Sequence, residues 1–367
     1  MLKSNTKISL IDPMSLEIDG SYGEGGGQVL RGAVALSCLT GKSVKVFNIR
    51  GKRPKPGLQP QHLISLQAAA SVSGAEVKGL DVGSTTITFS PKTIRGGRYT
   101  FDIKTAGSVT LVVQTLLPIL SFAGEPAEVK IIGGTDVPWS PPINYMRYVA
   151  LPALRAFGVD AGLDLNRRGH YPKGGGEVVL RVSPVKTIAP FRALERGPVE
   201  AIRGVSNCTN LPGHVAARQA SSAAKVLREK GHTNVRIAEE QTVGEGPGSD
   251  IVLWAEVGGG IRIGADALGA REKRAEDVGR EAGEKLLAEL QTGMAVDRHL
   301  GDMIILYMAL ANGTSEAGFS ALTLHSETMM WLSKAFLSVE WQVRKVEGGA
   351  AIIKVDGAGL KNARIQA

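Results

Sequence analysis

The stretch GSYGEGGGQVLR, from Gly20 to Arg31, lies between a strand-like run, Leu16 to Asp19, and a helix-like run that continues to Leu39. Three consecutive glycines beside an acid, an amide and an arginine are costly in backbone entropy, so the loop calls for a reason beyond turning the chain. A Gly-rich passage from strand to helix suits an anion: bare backbone lets N–H groups approach, and the helix N-terminus adds partial positive charge. The loop does not run into Gly-Lys-Ser/Thr and the GxGxxG spacing is absent, which excludes a Walker loop and a dinucleotide fingerprint here. On the loop alone, a plain surface turn before a helix stays open.

Outward from this loop the chain repeats one unit: helix, glycine turn, strand, irregular loop, second helix, pair of strands. Unit one runs through helix Gln28 to Leu39, strand Val44 to Ile49, the loop containing GKRPKPGLQ, helix Gln61 to Ser71, then GAEVKGL and TTITFSP. Unit two has helix Ser108 to Phe122, strand Ala127 to Ile132, GGTDVPWSPP, helix Ile143 to Phe157, then GVDAGLDL and GEVVLRVSP. Unit three has helix Leu300 to Ala311, a strand-like Gly318 to Leu324, His325, helix Ser326 to Leu337, then VEWQVRKV and AAIIKVDG. Such self-similarity argues for an α/β fold of three units stacked about a pseudo-threefold axis. Between units two and three, helix Ala216 to Lys230, strands Asn234 to Ala238 and Ile251 to Val257, and the charged helix Ala270 to Leu290 read as an inserted smaller α/β domain. The expected division is 1–185 for units one and two, 186–293 for the insert and 294–367 for unit three.

Composition narrows the function. The 367 residues carry 43 Lys+Arg against 35 Asp+Glu, a net charge of +8, with no single basic block. A folded basic surface for a polyanion is implied rather than a basic tail. Only 5% of residues are aromatic, which argues against a broad base-stacking sheet. Cys38 and Cys208 are too few for a disulfide framework or a zinc site, and the N-terminus lacks a signal pattern, so a cytoplasmic protein is expected. The charge-free run Thr105 to Gly124 contains Gln114, Pro118 and the hydroxyls of Ser108, Thr110 and Thr115, and reads as a buried helix rather than a membrane span.

If three units share a centre, equivalent loops face it. Glu24, Gln28 and Arg31 stand at the first helix of unit one, Gln114 at that of unit two and Asp302 at that of unit three. The loops before the second helices bring Arg50, Lys52, Arg53 and Lys55, then Asp136, Trp139 and Pro141, then His325. Arginines of this kind grip phosphate by forked hydrogen bonds, although a solvated loop would use them too. Glu24 and Asp302 suit Mg²⁺ beside polyphosphate, or else cap helices. A neutral imidazole at His325 would be a nucleophile toward phosphorus, against the blander role of a structural histidine. The second triglycine, RRGHYPKGGGEV from Arg167 to Val178, reads as a tight hairpin, with Arg168 and His170 as minor candidates.

Seven blocks in order, DGSYGEGGGQVLR, IRGKRPKPGLQPQHL, AGSVTLVVQTLLP, GGTDVPWSPP, RGHYPKGGGEV, LGDMIILYMALANG and LTLHSETM, resemble the RNA 3'-terminal phosphate cyclase family over nearly the whole chain. The resemblance implies an ATP-dependent enzyme acting on RNA with a 3'-terminal phosphate. A histidine matched by His325 takes AMP from ATP and passes it to the RNA phosphate; the ribose 2'-OH then closes a 2',3'-cyclic phosphate and releases AMP. It also implies that Glu24 lies near Mg²⁺ or Mn²⁺ and the triphosphate, with Gln28 and Arg31 in the same block. Arg50, Arg53 and Gln61 match residues near the phosphates or RNA end; Gln114, Pro141 and Asp302 match the nucleotide pocket. Two positions of that pocket depart from the family pattern: His299 stands where an aromatic often stacks on adenine, and Met303 where glutamine usually follows the aspartate. Two other classes share this kind of fold, a ribosome-assembly scaffold lacking the histidine and a carboxyvinyl transferase lacking the triglycine and LTLHSETM blocks. No membrane contact is expected, and oligomeric state, a homo-oligomer included, is open.

Overall fold

A computed structural model describes residues 15–258 and 260–365. Unit one comprises β1 (Leu16–Asp19), α1 (Gly27–Thr40), β2 (Val44–Phe47), α2 (Pro60–Ser73), β3 (Glu76–Lys78) and β4 (Ile87–Ser90). Its sheet has the order β1-β2-β4-β3, with β1 and β2 parallel and β4 antiparallel to both neighbours. Unit two follows with β5 (Gly97–Asp102), α3 (Val109–Leu120), β6 (Ala127–Gly133), α4 (Ile143–Tyr145), a π-helical turn at Met146–Ala150, α5 (Leu151–Ala156), β7 (Asp160–Arg167) and β8 (Gly176–Ser183). Its order, β5-β6-β8-β7, and its pattern of one parallel and two antiparallel pairings repeat those of unit one.

Next come β9 (Arg192–Ala193) and the insert: β10 (Ala201–Thr209), α6 (His214–Glu229), β11 (Val235–Thr242), β12 (Gly248–Glu256), β13 (Arg262–Leu268) and α7 (Ala275–Gln291). The insert's sheet, β11-β10-β12-β13, carries α6 and α7 packed together on one face. The chain ends with α8 (Arg298–Leu310), β14 (Thr314–Phe319), α9 (Leu324–Leu337), β15 (Trp341–Lys345) and β16 (Ala351–Asp356).

The third sheet reads β15-β16-β14-β9, the same order again. Its first strand, β9, pairs parallel with β14 at Arg192–Glu316 and Ala193–Ala317, so unit three begins before the insert rather than at 294. A two-residue strand has no periodicity to read, which is why the sequence hides it.

Local chemistry accounts for the elements that matter to the site. In α3, Val112, Val113, Leu116, Leu117 and Leu120 are all buried, as a helix apolar on every side must be. Among the described residues no helix is long and apolar enough to cross a membrane. Ser108 caps α3 by accepting from Leu111 N, and Thr323 caps α9 by accepting from Ser326 N. The second cap starts α9 at Leu324, which places His325 in its first turn rather than at a strand end. One hydrophobic core runs through the three units, and a second fills the insert between its sheet and α6 and α7. Within the first core α1 packs on α2, α3 and α9, and α9 packs on α8. A Cβ at Gly32 would lie 2.7 Å from the Met329 sulfur, so a glycine here sets how closely α1 and α9 approach.

Candidate active site

The units converge on a cavity lined by Gln28 and Arg31 of α1, Gln114 of α3, Asp302 and Met303 of α8, and Met329 of α9. The glycine-rich loop leads into it, and the triglycine has a steric reason. Gly26 caps α1 without a side-chain bond, and Gly27 is its first residue. A Cβ would lie 3.3 Å from Lys52 at Gly25, 3.3 Å from the Arg53 guanidinium at Gly26 and 2.3 Å from His62 Nε2 at Gly27. The bare backbone thus lets Lys52, Arg53 and His62 of unit one close over the helix start. Gly23 and Gly25, both at φ +59°, need the left-handed region that glycine tolerates. The loop is seated on α9, where Tyr22 stacks on Trp331 at 4.0 Å.

His325 is held at the junction of units one and three. Gln28 Nε2 donates to its backbone oxygen at 3.0 Å. Its ring Nδ1 lies 3.9 Å from Glu24 Oε2, which is also paired with Arg53 at 3.1 Å. Neither acid is a helix cap. Glu24 precedes the capping glycine, and Asp302 sits in the second turn of α8, whose cap is Asp297. The Asp302 Oδ1 accepts from Thr323 and, at 2.8 Å, from Ser326. Burial raises its pKa, while those hydroxyls and the nearby His325 and His299 pull it back.

Two further groups give the site its electrostatic character. Burial lowers the Arg31 pKa to about 10, and among the described residues no hydrogen bond or ion pair holds its guanidinium. His62, missed in the sequence, accepts from Gln59 N through Nδ1 at 3.2 Å, which leaves its proton on Nε2, facing Gly27. Burial, with Arg31 and Arg50 nearby, pushes its pKa down to about 3, so it is a neutral donor. The signal was present in PQHL, directly after Gln61, but the glycine it faces is far away in the sequence.

The remaining candidates, like Glu24, Arg53 and His325, are outside the cavity's lining. Arg50 donates to the Lys55 and Gly57 oxygens at 2.5 and 3.1 Å, bracing its own loop. Gln61 opens α2 against Gly107, and the Pro141 oxygen accepts from Thr110 at 2.8 Å. His299 meets Tyr145 edge-on at 6.1 Å, one turn before Met303 on α8.

Arg168 and His170 stand apart from this cavity. Arg168 pairs with Asp136 at 3.1 Å, Glu240 at 2.7 Å and Asp250 at 3.5 Å, joining unit two to the insert. Asp136, His170 and Asp250 have metal-ligand spacing, but the Arg168 charge already occupies that centre. For a divalent cation near His325 the fitting donor is Glu24. It is half-exposed beside His325, a single carboxylate suited to an ion that keeps water and phosphate oxygens as its other ligands.

The RNA 3'-terminal phosphate cyclase family model matches residues 22–343. The RNA 3'-terminal phosphate cyclase of Staphylothermus marinus is 53% identical over 94% of this chain and 99% of its own length. Those of Pyrobaculum aerophilum and Thermococcus kodakarensis are each 48% identical, over 94% and 93% of this chain and 99% and 98% of their own. The chain belongs to the RNA 3'-terminal phosphate cyclase family.

Proposed function

We propose that this chain is an ATP-dependent ligase that converts an RNA 3'-terminal phosphate into a 2',3'-cyclic phosphate. The observation that carries the reading is His325, flanked by Glu24 and fixed through Gln28, one helical turn before Arg31 on α1, whose guanidinium has no hydrogen bond or ion pair among the described residues. Glu24 lies on the Nδ1 side of the ring, which leaves Nε2 to attack the α-phosphorus of ATP. A P–N bond forms, the α–β phosphoanhydride P–O bond breaks and pyrophosphate leaves. An oxygen of the RNA 3'-phosphate then attacks the same phosphorus and the P–N bond breaks. The neighbouring 2'-OH closes on the activated 3'-phosphorus, giving up its proton as AMP departs.

Arg31, with Arg53 and the neutral His62, supplies donors for the phosphate oxygens, and Gln114, Asp302 and Met303 line the nucleotide side. Mg²⁺ or Mn²⁺ at Glu24 would add charge neutralisation on the triphosphate. A scaffold without catalysis has no use for a half-buried histidine held through Gln28 beside Glu24. The test is a 5'-labelled RNA bearing a 3'-phosphate, incubated with the protein, ATP and Mg²⁺. A phosphatase-resistant end, with one AMP per end modified, is expected. An end still removed by phosphatase while ATP is bound would contradict the reading.

A further inference from the structure

Of the four tryptophans, three are packed: Trp254 on Tyr148, Trp331 under Tyr22, and Trp341 with its Nε1 donating to Ser333. The fourth, Trp139, is 97% exposed. Its backbone sits at φ +62°, a left-handed conformation that an aromatic residue seldom adopts. Exposure and strain together give the fold nothing, yet the loop that presents this indole is firmly built. Asp136 Oδ1 accepts from Ile143 N at 3.2 Å, Ser140 Oγ donates to the Val137 oxygen at 3.1 Å, and Asp136 N donates to the Gly169 oxygen at 3.2 Å.

The loop also has a defined place beside the cavity. It leaves β6 at Gly134, whose N–H donates to the Gly107 oxygen at 2.8 Å, and Gly107 is the residue against which Gln61 packs. Two residues beyond Trp139, the Pro141 oxygen is held by Thr110, which lies one helical turn before the cavity residue Gln114 on α3. Trp139 therefore projects from a rigid rim segment between Gln61 and Gln114. A planar, solvent-facing ring at the edge of a phosphate-binding, basic site matches the face of an unpaired nucleobase.

We propose that the Trp139 indole is a stacking platform for a base of the bound RNA, next to the 3'-phosphate that enters the cavity. The inference rests on the RNA-end reading above, and its test separates the two. Titration of the protein with a short single-stranded RNA ending in a 3'-phosphate reads the contact by tryptophan fluorescence, without turnover. Quenching is expected in the wild type and lost in Trp139→Ala. In steady state, Trp139→Ala raises the KM for this RNA roughly 5- to 100-fold, while Trp139→Phe keeps most of the affinity. Labelling of the protein by α-labelled ATP, which needs no RNA, stays unchanged in both variants.

Unchanged RNA affinity in Trp139→Ala, with the wild type active, overturns the stacking role. So does a change in sedimentation of the RNA-free protein at unchanged RNA affinity, which would assign the indole to a second copy of this chain. Quenching by RNA without any cyclic product would instead sink the cyclase reading and leave the stacking contact standing.

Discussion

Arg31, half-buried in the cavity wall, and Arg168, fully buried, are the same side chain in two opposite settings. Arg168 is 2% exposed and meets three carboxylates, Asp136, Glu240 and Asp250, which raise its pKa despite burial. Arg31 lines the cavity without an anion among the described residues, and burial alone lowers its pKa to about 10. A charge taken from water and left unanswered costs stability. Where the fold answers it, the arginine is a clasp between unit two and the insert; where it does not, the counter-charge is left to a ligand. That difference separates RRGHYPKGGGEV, whose arginine is an architectural clasp, from GSYGEGGGQVLR, which we propose binds phosphate, although both are triglycine stretches with arginine.

The largest effect should come from the clasp. Arg168→Met leaves buried carboxylates without their cation and should cost about 3–5 kcal/mol in urea unfolding. A loss below about 1 kcal/mol would mean that Arg168 is not answered as described. Arg31→Gln should behave inversely. Stability should stay within about 1 kcal/mol of wild type, while calorimetric affinity for pyrophosphate or ATP falls roughly 10- to 150-fold, the loss of a charge-assisted hydrogen bond. Equal losses of stability in the two variants would erase the distinction.

Much of this was legible in the sequence, for physical reasons that also mark where legibility ends. The helices α1, α3 and α8 begin and stop near their expected residues because their apolar content and terminal glycine or hydroxyl residues are local signals. The strand β10 escaped because AIRGVSNCT is almost wholly buried and does not alternate. Gln28, Arg31, Gln114 and Asp302 could be picked out because the repeat places equivalent helix starts around one centre, whereas Met303 came from the family resemblance alone. The role of Arg168 could not, since Glu240 and Asp250 lie 72 and 82 positions away, in a domain with no visible link to it. Nor can a sequence say that Arg31 has no partner among the described residues, because that is a property of every residue packed around it.

Two smaller effects sharpen the comparison through pH. The folded His62 pKa, about 3, lies below its ordinary value of 6.5, so between those limits the unfolded chain binds a proton that the folded one refuses. Stability from this source is full above pH 6.5 and is lost as pH falls toward 3. His62→Gln should flatten that part of the unfolding profile, and an unchanged slope would remove His62 from the electrostatics of Arg31.

Asp250 acts in the opposite sense. Burial, with Asp136 nearby, pushes its pKa up against the pull of Arg168, so the folded state holds this proton to a higher pH than the unfolded state does. Its contribution declines as pH rises from the ordinary carboxyl value of 3.8 toward the raised one. Asp250→Asn, which mimics the protonated carboxyl, should change neutral-pH stability by less than about 1 kcal/mol, the smallest effect of the set. A loss as large as that of Arg168→Met would show a charged Asp250 in the clasp.

The most direct test follows phosphorus from ATP. The protein is incubated with Mg²⁺ and ATP labelled at the α-phosphorus, without RNA, and the wild type is compared on a denaturing gel with His325→Ala and Arg31→Gln. The account predicts acid-labile, alkali-stable label on the wild type, less of it at low ATP on Arg31→Gln, and none on His325→Ala. Label that persists in His325→Ala, or no label on a wild type that demonstrably binds ATP, would contradict it.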